Sequence, residues 1–359
     1  MVALSASAYT IPTDAPEADG TLAWSSTTLV LVEASADGHT GIGWTYGPAA
    51  TVRVVADLLA DVVENVDPDD VPGAWVAMQR RLRNAGRPGI GGLALSAADN
   101  AIWDLKARRW GKPLTALLGT VRTAVPVYGS GGFTTYDGKR QDAQLAGWVH
   151  EQGIPRVKIK IGESGGTEVG RDLARMAAAR MTIGEAAELY VDANGAYQRK
   201  QAIRVMQAAA EADVRWFEEP VSSDDLAGLG VVRDAVRPDV AAGEYGYDLV
   251  YFERMAPYVD CLQVDVTRCG GITEFQRAAA VAAAHGLEVS GHCAPHQHLA
   301  VAAATANLRH LEWFHDHARI EAMLFEGAAH PIGGTAPVGG GAGNGLSFRG
   351  TDAAQWRVG

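Results

Sequence analysis

The chain has 359 residues, 47% of them hydrophobic and 20% charged, enough for one large domain beside a smaller one. Its formal charge of −11 argues against nucleic acid or an anionic membrane as partner, but leaves room for an anionic small molecule in a locally cationic site. Cys261, Cys269 and Cys293 are scattered, the start lacks a basic leader, and no apolar run is long enough to span a bilayer, so a reduced cytoplasmic setting is expected.

In chain order, "STTLVLVEASADGHTGIGWTYG" predicts two strands about an Asp37-Gly38 turn. "SAADNAIWDLKARRWG" predicts a helix capped by Ser96, with Ala98, Ile102 and Leu105 on one face. From about residue 124 a rhythm begins: "VPVYG", "VKIKI", "LYVDA", "RWFEE", "VAAGE", "LQVDV", "EVSGH" and "HLEW" alternate with Ala-rich amphipathic segments. Strands separated by helices in this way predict an α/β fold, a parallel barrel rather than an open sheet. The Gly-rich tail "GGTAPVGGGAGNG" predicts a flexible return loop, and no P-loop pattern occurs.

Polar residues fall in phase with this rhythm. Asp192, Glu218 and Glu244 end the third, fourth and fifth strands, 26 residues apart in each step. Neighbouring strand ends form the active face of such a barrel. Three converging carboxylates require a cation between them, and oxygen-only donors suit Mg²⁺, with Mn²⁺ as second choice. Asp265 and His292 at the next two strand ends read as a general acid/base dyad, and Glu312 on the eighth strand is a further acid candidate. Lys158 and Lys160, two residues apart on a strand, share a face. Pointing into the barrel mouth, their ammonium groups would lower each other's pKa and tune a lysine toward a base. Around "HCAPHQH", His296, His298 and Cys293 offer a weaker zinc reading; lining a pocket or capping a helix fits the two histidines better. "YTIPTDAPEADG" and "GWTYGPA" are candidate loops over the substrate, with Trp44 and Tyr46 as contacts.

Six motifs in this order, "VKIKIG", "VDANGAY", "WFEEPV", "AAGEYGYD", "DVTRCGGITE" and "SGHCAPHQHLA", resemble the mandelate racemase branch of the enolase superfamily. The resemblance implies an α+β capping domain (residues 1–120, with the return 333–359) and a modified (β/α)7β TIM barrel (residues 121–332). It implies Asp192, Glu218 and Glu244 as Mg²⁺ ligands and Lys160 as a base, with Lys158 assisting it and contacting the substrate carboxylate. His292 with Asp265 would act on the opposite face, Glu312 would hydrogen-bond an oxygen of the intermediate, and Asn194 and Glu219 would stand behind the ligands, Asn194 near the substrate. The implied reaction is removal of a proton alpha to a carboxylate. Dehydration of an acid sugar to a 2-keto-3-deoxy acid is the first expectation, racemisation or epimerisation of a 2-hydroxy acid the second, and a metal-binding barrel without catalysis the third. Arg268 lies near the place where the muconate-lactonising branch carries a lysine, but an arginine is a poor base. A homo-oligomer is expected from the same resemblance.

Overall fold

A computed structural model describes residues 1–358. An antiparallel sheet comes first: β1 (Ala3–Ala18), β2 (Ala23–Ala36) and β3 (His39–Tyr46), with Arg357–Val358 added to the outer edge of β1. Asp37 and Gly38 both take positive φ (50° and 77°) and reverse the chain between β2 and β3, as expected for a two-residue hairpin turn. The helix Ile90–Arg109 lies on this sheet at backbone distance. A Cβ at Gly41 would stand 2.1 Å from Leu105 N, and one at Gly43 would stand 2.4 Å from Ala97 O, so these two glycines set the approach.

That helix begins six residues before Ser96, which is therefore not its cap. Ser96 is buried inside it; its hydroxyl donates to Gly92 O (2.7 Å) and accepts from Gly270 N (2.8 Å). The residue that resembled a helix start instead ties the helix to a loop of the barrel.

Eight parallel strands close the barrel: β4 (Ala124–Gly131), β5 (Arg156–Lys160), β6 (Glu188–Asp192), β7 (Val214–Glu218), β8 (Asp239–Ala242), β9 (Cys261–Val264), β10 (Glu288–Gly291) and β11 (Leu308–Phe314), with β11 paired to β4. They coincide with the eight runs read from the sequence. Alternation along each strand sorts its side chains. On β5, Val157 and Ile159 join the apolar layer between strands and helices, whereas Lys158 and Lys160 face inward. Register places Lys158 beside Tyr190 and Tyr190 beside Trp216, then Lys160 beside Asp192 and Asp192 beside Glu218. An aromatic plug of Tyr128, Tyr190 and Trp216 thus fills the barrel beneath a charged layer.

The Gly-rich return is more ordered than its composition suggested. Thr335–Pro337 pairs antiparallel with β4, Gly343 O accepts from Leu114 N (2.7 Å), and Asn344 N donates to Asp104 (2.6 Å). Its glycines allow close docking: a Cβ on Gly343 would meet Asp104 Oδ1 at 2.2 Å. No helix is long and apolar enough to cross a membrane among the described residues.

Candidate active site

The strand ends converge on a cavity of about 380 Å³, lined by Lys160, Asn194, Glu244, Arg268, His292 and Cys293 from the barrel. Asp19 and Leu22 from the turn after β1, Trp24 and Tyr46 from the N-terminal sheet, Phe314 at the end of the eighth strand and His317 after it complete its walls. The segment from Tyr9 is not a loop: it belongs to β1, and only residues 19–22 turn over the barrel mouth. There Thr134 donates to Ala18 O and Asp19 O, and Gly20 O accepts from Gly165 N (2.8 Å).

Asp192, Glu218 and Glu244 each offer a carboxylate oxygen within 4.8 Å of the others, and all three are buried. Glu244 lies two residues beyond β8 rather than at its end. Lys158 Nζ reaches Glu218 (2.5 Å), Glu312 (2.8 Å) and Asp192 (3.7 Å), and Lys160 Nζ reaches Asp192 (2.5 Å). Burial pushes the Glu218 carboxyl up to about 8, against Lys158 and with help from the Asp192 charge. Asp192 is held below its usual range because Lys160 and Lys158 outweigh its burial. Glu244 Oε2 and Asn194 Oδ1 are buried without a hydrogen-bond donor. A hard dication fits this set: buried oxygen donors, one atom of the cluster and one of its neighbour Asn194 without a hydrogen-bond partner, and a Glu218 carboxyl whose charge burial opposes.

The lysines differ from expectation in one respect. Burial and the Lys158 charge do lower Lys160, but the Asp192 carboxylate outweighs them and holds its pKa above the usual value; Lys158 is likewise held high by Glu218 and Glu312. The i,i+2 spacing within "VKIKI" sets lysine beside lysine, whereas the register across strands sets carboxylates beside both.

Opposite the lysines, Asp265 Oδ2 accepts from His292 Nδ1 (2.8 Å) and Asp265 Oδ1 accepts from Thr267 N and Oγ1 (both 2.7 Å). The imidazole is thereby fixed with Nε2 facing the cavity, 3.3 Å from Glu244 Oε2. Although burial opposes its charge, Glu244 and Asp265 raise the His292 pKa. Glu312 Oε1 accepts from Ser130 (2.6 Å) and Oε2 from Cys293 N (2.9 Å); Lys158 and His292 overcome its burial and keep it well below the usual carboxylate range.

Residues 141–353 match the family described as "Enolase C-terminal domain-like", and residues 10–119 match "Mandelate racemase / muconate lactonizing enzyme, N-terminal domain". The chain belongs to this family. Among solved structures it is similar to a mandelate racemase/muconate lactonizing enzyme-like protein from Rubrobacter xylanophilus, at 47% identity, TM-score 0.95 and 99% coverage of each chain. A racemase from Streptomyces coelicolor with bound magnesium superposes with TM-score 0.91 at 28% identity over 100% of both chains. Among curated proteins, L-talarate/galactarate dehydratase of Salmonella typhimurium is 32% identical over 290 residues, 78% of this chain and 71% of that protein.

Within this mandelate racemase/muconate lactonizing enzyme fold several sequence candidates occupy supporting positions. Trp44 is fully buried and donates to Glu321 (2.9 Å), so it does not contact the cavity; Tyr46 does, stacked on His317. His296 binds Glu321 (2.6 Å) and His298 Nε2 accepts from Val266 N (3.0 Å), which uses both histidines in the packing behind the site and removes them from any set with Cys293. Glu219 is buried, accepts from Ser223 and has its carboxyl pushed well up by burial and Glu244. Asn194 sits at φ 45°, and its N–H donates to Asp192 (2.8 Å).

Trp216 and Ser130 were not anticipated, and Arg268, weighed only as a base, has a different part. Arg268 bridges Glu244 (3.2 Å) and Asp265 (3.3 Å), Trp216 Nε1 donates to Glu218 Oε2 (2.9 Å), and Ser130 anchors Glu312. The i,i+2 rule applied to "RWFEE" would have found Trp216. Ser130 carries no signal in one sequence, and the place of Arg268 near a strand end does not show which carboxylates it meets.

Proposed function

We propose that the protein catalyses Mg²⁺-dependent removal of the proton alpha to a carboxylate, and that the overall reaction dehydrates an acid sugar to a 2-keto-3-deoxy acid. One observation carries this reading: Lys160 and the Asp265-oriented His292 line a single cavity that also holds Glu244 of the three-carboxylate cluster. Asp192, Glu218 and Glu244 would hold the dication, with Mn²⁺ as substitute, and the bound ion supplies positive charge for the enediolate that proton loss creates. Lys160 removes the proton on one face, assisted by Lys158. His292 Nε2, on the other, gives a proton to the departing 3-hydroxyl, which leaves as water; the enol then tautomerises. Glu312 is held as a carboxylate by Lys158 and His292; donating a hydrogen bond to an enediolate oxygen would require it first to take up a proton. The turn at residues 19–22 closes the cavity against water.

A screen of mono- and diacid sugars for 2-keto product, with Mg²⁺ and then with EDTA, tests the reading. Product formed in Mg²⁺, lost in EDTA and restored by Mg²⁺ supports it; undiminished turnover in chelator excludes it.

Racemisation of a 2-hydroxy acid is favoured by one feature, the apolar stretch of cavity wall made by Leu22, Trp24, Tyr245 and Phe314. In that reaction His292 would protonate the alpha carbon instead of a leaving group. Proton NMR in D₂O separates the two: retained 3-hydroxyl with deuterium at the alpha carbon marks racemisation, and a new methylene marks dehydration.

A further inference from the structure

Beside the hard oxygen cluster lies a second group of donors of different chemistry. Cys293 Sγ stands 3.3 Å from His292 Nε2 and 3.4 Å from Glu312 Oε2, and the last two are 3.8 Å apart. All three residues are buried. Cys293 follows His292 in sequence and sits at φ 51°, with its Sγ against the His292 ring. Three donors around a tetrahedral Zn²⁺ at ordinary bond lengths stand roughly 3.2–3.6 Å from one another. The observed triangle is close to that without rearrangement.

The surroundings suit a metal ligand set. His292 Nδ1 is committed to Asp265, the carboxylate–histidine arrangement that fixes the tautomer and leaves Nε2 free to coordinate. Glu312 Oε1 is held by Ser130 and Lys158, and Oε2, which accepts from Cys293 N (2.9 Å), has its remaining lone pair beside the thiol. Sulfur and imidazole favour a borderline-soft ion over Mg²⁺, so the two clusters select different metals.

We infer that His292, Cys293 and Glu312 form a thiol-dependent site for Zn²⁺ or a similar soft dication, distinct from the oxygen cluster, and that occupancy shuts down the enzyme. On binding, the thiol releases its proton to solvent as the sulfur–metal bond forms, and His292 Nε2 loses the lone pair that would carry a proton. The inhibitory consequence rests on the role proposed for His292; the binding does not.

The test uses the full chain saturated with Mg²⁺ and titrated with Co²⁺ and Zn²⁺. One equivalent of Co²⁺ should produce a thiolate-to-cobalt charge-transfer absorption, absent in Cys293→Ser and Cys293→Ala. X-ray absorption of the Zn²⁺-loaded native protein should show one sulfur among nitrogen and oxygen neighbours. Zn²⁺ should inhibit at saturating Mg²⁺, and either variant should bind it at least about tenfold more weakly. A native protein with no sulfur–metal signal overturns the inference. So does Zn²⁺ binding unchanged in both variants, or inhibition that excess Mg²⁺ fully reverses. Because the spectra need no turnover, a sulfur–metal signal in a protein that fails to dehydrate any acid sugar would count against the proposed function and not against this site.

Discussion

Replacing Gly20 with alanine tests whether the N-terminal sheet completes the active site. Gly20 is buried at the turn after β1, and a Cβ there would stand 2.7 Å from Ile161 O, 2.8 Å from Gly162 O and 3.0 Å from Ala193 O. All three are backbone atoms following β5 and β6, so no side chain can swing aside to relieve the contact. Overpacking of this kind costs about 1–3 kcal/mol when the partners cannot move. If the cost falls wholly on docking of the turn, the ratio of closed to open turn falls by about 5- to 150-fold, which sets the upper bound on the loss in kcat/KM. Asp19, Leu22 and Trp24 leave the cavity wall with the turn, so KM should rise along with the fall in kcat. The barrel's core is untouched, and the melting temperature should hold within a few degrees. Steady-state kinetics combined with limited proteolysis between residues 13 and 25 reads both effects. A G20A enzyme with native kcat/KM and native protease resistance would show that the turn has room that the structure denies it, and the closure argument would fail.

Lys160→Ala and His292→Asn should each abolish conversion of the preferred substrate while the circular dichroism stays native; normal turnover by both would remove the assigned bases. Among the described residues lining the cavity, Lys160, Arg268 and His292 are paired with carboxylates, and burial holds the His317 imidazole down to about 3, so no cation is free for a second carboxylate. Monoacids should therefore exceed diacids of equal length in kcat/KM by at least about tenfold, and the reverse ranking in a substrate screen would refute this. Burial and then the Asp316 charge push Glu17 from 4.5 up to about 8. An acid raised on folding stabilises fully below its unfolded value, and that contribution is lost as pH climbs toward 8. Glu17→Gln cannot ionise, so its melting temperature should match native near pH 4 and exceed it by pH 8, by an amount equivalent to up to a few kcal/mol; parallel curves would dismiss the buried charge.

Much of this architecture was readable because two periodicities dominate it. Alternation in "VKIKI" and "LYVDA" marked strands, and the 26-residue steps between Asp192, Glu218 and Glu244 set the acids on successive strand ends. Individual atoms were less readable wherever a residue serves a distant segment. Ser96 resembled a cap because Ser competes for backbone donors; in the fold its partner is Gly270, 174 residues away. Trp44 resembled a loop aromatic, yet it stacks on Phe325 deep in the N-terminal packing. The Lys160 environment required knowing that register sets Asp192 beside it, and spacing within one strand carries no information about its neighbour.

The charged layer explains why the lysines and the dication must act together. Lys158, Lys160 and Arg268 face Asp192, Glu218, Glu244, Asp265 and Glu312, three cations to five carboxylates, with the His292 pKa raised and the Glu218 and Glu219 carboxyls pushed up in consequence of burial and this crowding. A dication offsets the negative excess and favours ionised Glu218. Without it, both ammonium groups serve as counter-ions, Lys158 to Glu218 and Lys160 to Asp192. An ammonium in such a pair has no lone pair with which to take a proton. Chelation should thus remove more than charge stabilisation of the enediolate: it should also keep the base occupied. Exchange of the alpha proton with solvent, which needs only Lys160 and not the leaving group, should vanish in EDTA together with dehydration, and both should return over the same range of added Mg²⁺. If exchange persisted in chelator while dehydration stopped, Lys160 would be a base independent of the carboxylate cluster, and the coupling drawn from its contact with Asp192 would be wrong.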